Sequence, residues 1–398
     1  MNPRYEQIIT GRAESCFQRD VEANAAALKD MVAGSRIAVV GAAGSIGSAV
    51  AKTILRFAPR ALVLIDISEN NLVELVRDLR SSPDVKMPAD FSTLPIAMGS
   101  LEFDRYFAET APFDYFFNLA AIKHVRSEKD VYCLTRMIDT NVLFMHDFLA
   151  GNPYKFKKVF SVSSDKAANP ANLMGATKMA MEQTLLHRSA AQPFSTARFA
   201  NVAFSDGSLP YGFLRRIEKL QPLSAPNDVR RYFISHQEAG ELCALSAFVG
   251  ENRDVFFPKL AEDKDEKTFS TIAEDLLRSL GYEPFVCATE DEARRRAGEL
   301  IPQKRWPCHF FKSDTTGEKD FEEFFVAAET VDFARFQSVG VIKRGDLADH
   351  AAVEGFLAFA KAAKARRDLA KADYVRALER LVPTLRHLET GKNLDSKM

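Results

Sequence analysis

Cysteine is scarce in this chain of 398 residues: Cys16, Cys133, Cys243, Cys287 and Cys308 are the only five. Their number is odd, their spacing is wide and no CxxC pair occurs, which argues against a disulfide framework and against a zinc site. No window offers about 18 consecutive apolar residues, so no membrane span is expected. The opening MNPRYEQIITGRAESC has no apolar core of the kind that directs secretion. An excess of either charge is also missing. The 53 basic and 54 acidic residues leave a net charge of −1, so no global field draws the protein to nucleic acid. With 46% hydrophobic residues and so little net charge, disorder is excluded over most of the length. What remains is a soluble, cytoplasmic protein with enough chain for one large core or two fused units.

Short apolar runs alternate with helical patterns from residue 36 onward. Arg36-Ile-Ala-Val-Val40 and Ala61-Leu-Val-Leu-Ile65 read as buried strands, as do LPIAM (94–98), DYFFNL (114–119) and VFSVSS (159–164). SAVAKTILRF and NLVELVRDLR between them carry helical spacing. Such alternation is the pattern of parallel βαβ units, so the fold class is α/β with a doubly wound parallel sheet. Residues 1–34 read as a short helical arm and 35–200 as the nucleotide-binding domain. Residues 201–335, rich in Gly and Pro at first, read as a smaller substrate lobe interleaved with that core. Within it, 262–305 is a charged helical stretch. Residues 336–398 form a helical extension whose basic residues read better as a solvated amphipathic face than as a site for an anionic partner.

The first strand runs into Gly41-Ala-Ala-Gly44-Ser45-Ile46-Gly47, which opens the next helix. Glycine is required where a chain turns tightly and where backbone amides approach a pyrophosphate, and a helix N-terminus adds partial positive charge. The spacing is GxxGxxG, so the general dinucleotide fingerprint is met only approximately. Asp66 closes the second strand, where a carboxylate accepts hydrogen bonds from the adenosine ribose and repels a 2′-phosphate; this favours NAD over NADP. The competing role for Asp66 is a helix N-cap.

Three later segments, FNLAAIKHVRSEKD (117–130), VFSVSSDKAANPANLMGATKMAME (159–182) and RFANVAFSDGSLPYGFLRRI (198–217), follow this loop in order. Together they resemble the extended short-chain dehydrogenase/reductases that modify nucleotide sugars. The likeness is to the CapD-like polysaccharide-biosynthesis branch, the UDP-N-acetylglucosamine 4,6-dehydratases. RRYFISHQEA (230–239) and TTGEKDFEEFF (315–325) are weaker echoes. The resemblance implies a Rossmann fold, NAD, a nucleotide-sugar substrate and homo-oligomers.

It also implies roles for individual residues. Ser164, Asp165 and Lys166 would supply the catalytic groups. Lys166 would act as the base at sugar carbon 5, which requires a neutral amine and a depressed pKa. Asp165 would protonate the departing C6 hydroxyl, after receiving the C4 hydroxyl proton through Ser164 or water. Met174 occupies the place where the wider superfamily has a catalytic Tyr, and a thioether cannot carry that proton. Lys178 would hold the cofactor ribose. Ala120 and Ala121 would lie against the cofactor, and Lys123 and His124 beside the sugar. Asn201 would face the nucleotide sugar, Arg231 its diphosphate, and Asn141 would tie a strand to the following helix. Glu318 and Lys319 echo a family element. Two departures stand out: Gly99-Ser100 replaces the family's Gly-Asp, and HVRSEKDVYCLTRMIDTNV is longer than usual. Competing expectations are a C4 or C5 epimerase on the same scaffold, or a non-catalytic NAD- or nucleotide-sugar-binding protein.

Overall fold

The computed structural model describes residues 3–261, 265–313 and 322–387. Apolar runs too short for helices become β1 (Arg36–Val40), β2 (Ala61–Ile65), β3 (Asp90–Leu94), β4 (Tyr115–Asn118), β5 (Lys158–Ser164) and β6 (Phe194–Phe199). They are followed by β7 (Asn201–Val202), β8 (Leu223–Pro226), β9 (Arg230–Ile234), β10 (Asp254–Pro258) and β11 (Glu266–Thr268). The last four are β12 (Glu283–Val286), β13 (Arg305–Phe311), β14 (Val331–Asp332) and β15 (Val339–Lys343). The main sheet has nine strands in the order β14-β15-β10-β6-β5-β4-β1-β2-β3. Neighbours from β3 to β10 run parallel, and β15 and β14 add an antiparallel edge. Strand order reverses between β1 and β4. In an open sheet of this kind, ligands bind at the carboxyl ends of the strands beside that reversal.

Alternate residues of a strand face opposite sides. Ile37, Val39, Leu62 and Leu64 therefore enter the core on one face, while Ala38, Val40, Val63 and Ile65 enter the other. One strand departs from expectation: β3 is Asp90–Leu94, and the apolar run at 94–98 follows it. β3 pairs only with β2, so its position at the edge tolerates Asp90, Ser92 and Thr93 where an interior strand would not.

The lobe is built on a parallel sheet β12-β13-β8 and a small sheet β11-β9-β7. Its own core contains Phe204, Phe213, Leu276 and Trp306. The charged stretch at 262–305 holds two helices, Phe269–Ser279 and Glu290–Leu300, but β12 lies between them.

The chain ends also differ from free arms. Helices Pro3–Thr10, Gln18–Ala23 and Ala25–Val32 pack onto the body through Ile9, Phe17, Leu28 and Val32, all at most 1% exposed. Arg12 makes a two-pronged pair with Glu238 at 2.9 Å and reaches Asp265 at 2.9 Å. Helices His350–Ala363 and Lys371–Leu381 bury Phe356, Leu357, Tyr374 and Leu378 against the Leu173–Arg188 helix and the sheet face behind it. Several basic residues here pair within the chain, among them Lys361 with Asp147 (2.6 Å) and Lys364 with Asp139 (2.8 Å). No helix among the described residues is long and apolar enough to cross a membrane.

Candidate functional site

The glycine loop sits at the carboxyl end of β1, and two of its glycines are forced. Gly41 has φ +74°, and a Cβ there would lie 2.5 Å from the Ala120 nitrogen. A Cβ on Gly47 would lie 2.1 Å from the Gly41 carbonyl oxygen. Gly44 is different: its Cβ would meet only the Gly41 oxygen, at an ordinary 3.6 Å. The chain therefore does not need glycine at 44 for its own packing, and the space in front of that residue is open at the N-terminus of the Ser45–Leu55 helix. This is the cradle a pyrophosphate requires. Ile46 packs against the core below the loop. Asp66 closes β2 and accepts from the Ala43 amide (3.0 Å) and the Ser68 amide (3.0 Å). The N-cap of the next helix is Ser68, so Asp66 instead ties the glycine loop to the end of β2.

The segment after β4 is held against this loop. Asn141 accepts from the Ile122 amide (3.0 Å) and donates to the Ile122 carbonyl (3.0 Å) and to the Thr177 hydroxyl (2.9 Å). It thereby ties the segment that follows Ala120, which lies beside Gly41, to the Leu173–Arg188 helix. Lys123 reaches the Ser205 hydroxyl at 3.4 Å, and a Cβ on Gly207 would lie 2.8 Å from His124 Nε2. The 205–207 turn is pinned from the other side as well, since the Asp206 amide donates to Ser45 Oγ at 2.8 Å. Ser45, Lys123 and His124 thus meet one turn of the lobe.

β5 ends at Ser164 and delivers the centre of the site. Ser164 Oγ donates to Asp165 Oδ1 at 2.6 Å, and Lys166 Nζ donates to both Asp165 oxygens at 3.1 Å. Lys166 Nζ is also 3.6 Å from Glu322 Oε1. The pairing of β7 with β9 brings Asn201 and Arg231 to the same carboxylate. Asn201 Nδ2 donates to Glu322 Oε1 at 2.6 Å, the Tyr232 amide to Oε2 at 3.0 Å, and Arg231 Nε lies 3.5 Å away. Asp165 and Glu322 are almost fully enclosed, whereas Lys166 keeps 28% of its side chain open.

Electrostatics separate these groups. Burial opposes ionisation of Asp165, but the Lys166 charge and the hydrogen bonds from Ser164 and Lys166 outweigh it and hold its carboxyl below the usual range. Burial also opposes the charge on Lys166. There the charges of Asp165 and Glu322 prevail, and its pKa is raised rather than depressed as the sequence led us to expect. Burial and the like charge of Asp165 push Glu322 up to about 7, against the pull of Lys166 and Arg231.

Lys178 stands one turn below Met174, fully enclosed, with Nζ donating to the Val162 carbonyl at 3.0 Å. Burial lowers it to about 8, with Glu182 opposing. Met174 is packed in the core at 3% exposure. The backbone amides of Leu173 and Met174 donate to Glu128 Oε2 at 2.7 and 3.2 Å. Glu128 lies in the lengthened segment after His124, so that insertion supplies an anion to the N-terminus of the helix bearing Lys178. A Cβ on Gly175 would lie 2.3 Å from the Lys166 carbonyl oxygen, so glycine there lets the turn after β5 rest on the helix. Ser100 is the N-cap of the Leu101–Glu109 helix, accepting from the Phe103 amide at 3.3 Å.

Glu322, Glu128 and Gly175 were not singled out from sequence. Glu322 sits in the echo TTGEKDFEEFF, where nothing distinguishes it from the carboxylates beside it. Glu318 and Lys319 lie outside the described residues.

A family model described as polysaccharide biosynthesis protein matches residues 37–343. An uncharacterized membrane protein of Methanocaldococcus jannaschii is 27% identical over 73% of this chain and 84% of its own length. The capsular polysaccharide biosynthesis protein CapD of Staphylococcus aureus is 26% identical over 64% of this chain and 44% of its own, so the chain spans less than half of that relative. The UDP-glucose 4-epimerase of Rickettsia prowazekii is 26% identical over 71% and 86% respectively. Among solved structures, Pen from Bacillus thuringiensis superposes with a TM-score of 0.63 at 19% identity, over 88% of this chain and 98% of that one.

Proposed function

The chain belongs to the polysaccharide biosynthesis protein family, in its CapD-like branch of extended short-chain dehydrogenase/reductases, and on that premise we propose that it is an NAD-dependent nucleotide-sugar 4,6-dehydratase acting on a UDP-N-acetylhexosamine. The observation that carries this reading is the Ser164–Asp165–Lys166 cluster at the end of β5. Elimination of water needs an acid for the leaving hydroxyl as well as a base for the carbon, and this cluster offers both in one turn.

The open cradle at Gly44, the helix N-terminus behind it, Asp66 and Lys178 fit a dinucleotide. When bound, NAD supplies a reversible two-electron oxidation at C4 of the sugar. The remaining work falls to the protein. Asp165, ionised in the resting site, takes the C4 hydroxyl proton through Ser164, whose hydroxyl already donates to it. The same proton then leaves with the C6 hydroxyl as water. Lys166, more open than Asp165, removes the C5 proton made acidic by the neighbouring carbonyl. Lys178 orients the cofactor ribose, and Met174 is a packing residue. Asn201 and Arg231 face the substrate from the lobe, with Lys123 and His124 on the opposite wall.

An epimerase is the second reading, favoured by the Rickettsia prowazekii relative. Incubation of the purified protein with UDP-N-acetylglucosamine and no added cofactor separates the two. A product lighter by one water supports the dehydratase, and an isomer of unchanged mass supports the epimerase. The denatured protein should release NAD.

A further inference from the structure

A lysine that takes a proton from carbon must first be neutral, yet Asp165 and Glu322 hold Lys166 in its charged form. Within the described residues, the charged side chains facing Glu322 are Asp165 on the turn after β5, Lys166 beside it and Arg231 on β9. We propose that Glu322 is the proton acceptor for Lys166, a positioning residue that takes one proton from the ammonium and so frees the amine to act at C5. The inference rests on the dehydratase reading above.

Geometry places the acceptor. Glu322 Oε1 is 3.6 Å from Lys166 Nζ, and the carboxylate is held by Asn201 (2.6 Å) and by the Tyr232 amide (3.0 Å). These two donors come from β7 and β9, not from the turn that carries Lys166, so the acceptor is fixed independently of that turn. The like charge of Asp165 favours a proton on Glu322. In the transfer a Lys166 N–H bond breaks and a Glu322 O–H bond forms. The cluster holds two anions and two cations before the transfer, and one of each after it. Its net charge stays at zero, whereas exporting a proton from so enclosed a site would leave a charge uncompensated. The neutral amine then takes the C5 proton. When C5 is reprotonated from Lys166, Glu322 returns its proton and the site is reset. Asp165 cannot serve instead, since it must stay ionised to receive the C4 hydroxyl proton, and its carboxyl is the one held low. Of the two carboxylates beside Lys166, Glu322 is the one pushed up, to about 7, and is therefore the better proton acceptor.

The test is the pH dependence of water loss from UDP-N-acetylglucosamine by wild type, Glu322→Gln and Glu322→Asp. Wild-type kcat should rise as pH climbs through about 7, where Glu322 becomes an ionised acceptor. Glu322→Gln should lower kcat by about a hundredfold, leave KM little changed and flatten that acidic limb. Glu322→Asp retains a carboxylate and should retain the limb at a reduced kcat, which decides the matter even if the Gln variant fails to fold. An unaltered limb in Glu322→Gln, or a loss confined to KM, would overturn the inference while leaving the dehydratase reading intact. No water loss by the wild type would overturn both.

Discussion

Two cations are buried near the end of β5, and the chain treats them in opposite ways. Lys178 has a carbonyl partner and is driven down to about 8 by burial. Arg198 is fully buried but bonds to Glu182 at 2.8 and 3.0 Å and to Glu329 at 2.8 Å, while Arg344 reaches Glu329 at 2.8 Å. Removing a paired ion leaves its partners buried and uncompensated, at a cost of about 3–5 kcal/mol. Arg198→Met should therefore unfold well below wild type in a thermal melt, whereas Lys178→Met should unfold at the same temperature or higher. The Lys178 pKa is depressed, so above about 8 and up to the lysine value in the unfolded chain the unfolded state holds a proton that the folded state lacks. Stability from this group rises with pH across that window, and Lys178→Met should lose the rise. The grouping of Ser164, Asp165 and Lys166 was legible because β5 reads as a strand and these residues close it. Arg198 and Glu182 lie in RFANV and MAME, yet their pairing was not legible, since it joins a strand to a helix that only the fold brings together.

At the scale of the element, two glycines make the sharpest contrast. Gly44→Ala meets only an ordinary contact, so the variant should fold with wild-type stability. Its methyl group would occupy the open cradle, and the NAD released per chain on denaturation should fall steeply. Gly175→Ala drives a Cβ to 2.3 Å from the Lys166 oxygen, a backbone clash that cannot relax by rotating a side chain. It should lower both thermal stability and turnover by moving the turn that carries Asp165 and Lys166 off the helix. The strands β1, β2, β4 and β5 were visible as continuous apolar runs because both of their faces are buried. β3 was not, since an edge strand needs less apolar character. β12 and β13 were also missed, being hidden among charged helical residues of the lobe.

For the whole molecule, the doubly wound order follows from alternating strand and helix signals, but the return of β10, β14 and β15 to the main sheet does not. Those strands lie far along the chain, and no local pattern says which sheet they join. The same long-range closure delivers Glu322 to Lys166. The first extension is helical as expected, but 336–398 also holds β15 (Val339–Lys343), an antiparallel neighbour of β10 in the main sheet, and the described helices of both extensions pack onto their own chain. Deleting residues 346–398 should expose the outer face of the Leu173–Arg188 helix. The shortened protein should melt at a lower temperature and aggregate, as light scattering would show.

The central claim is elimination of water by the cluster at the end of β5. Mass spectrometry of UDP-N-acetylglucosamine incubated with the protein in deuterated water, without added cofactor, tests it most directly. The account predicts a product that has lost one water and gained one deuterium on carbon. A product of unchanged composition apart from deuterium, or an untouched substrate, would contradict it.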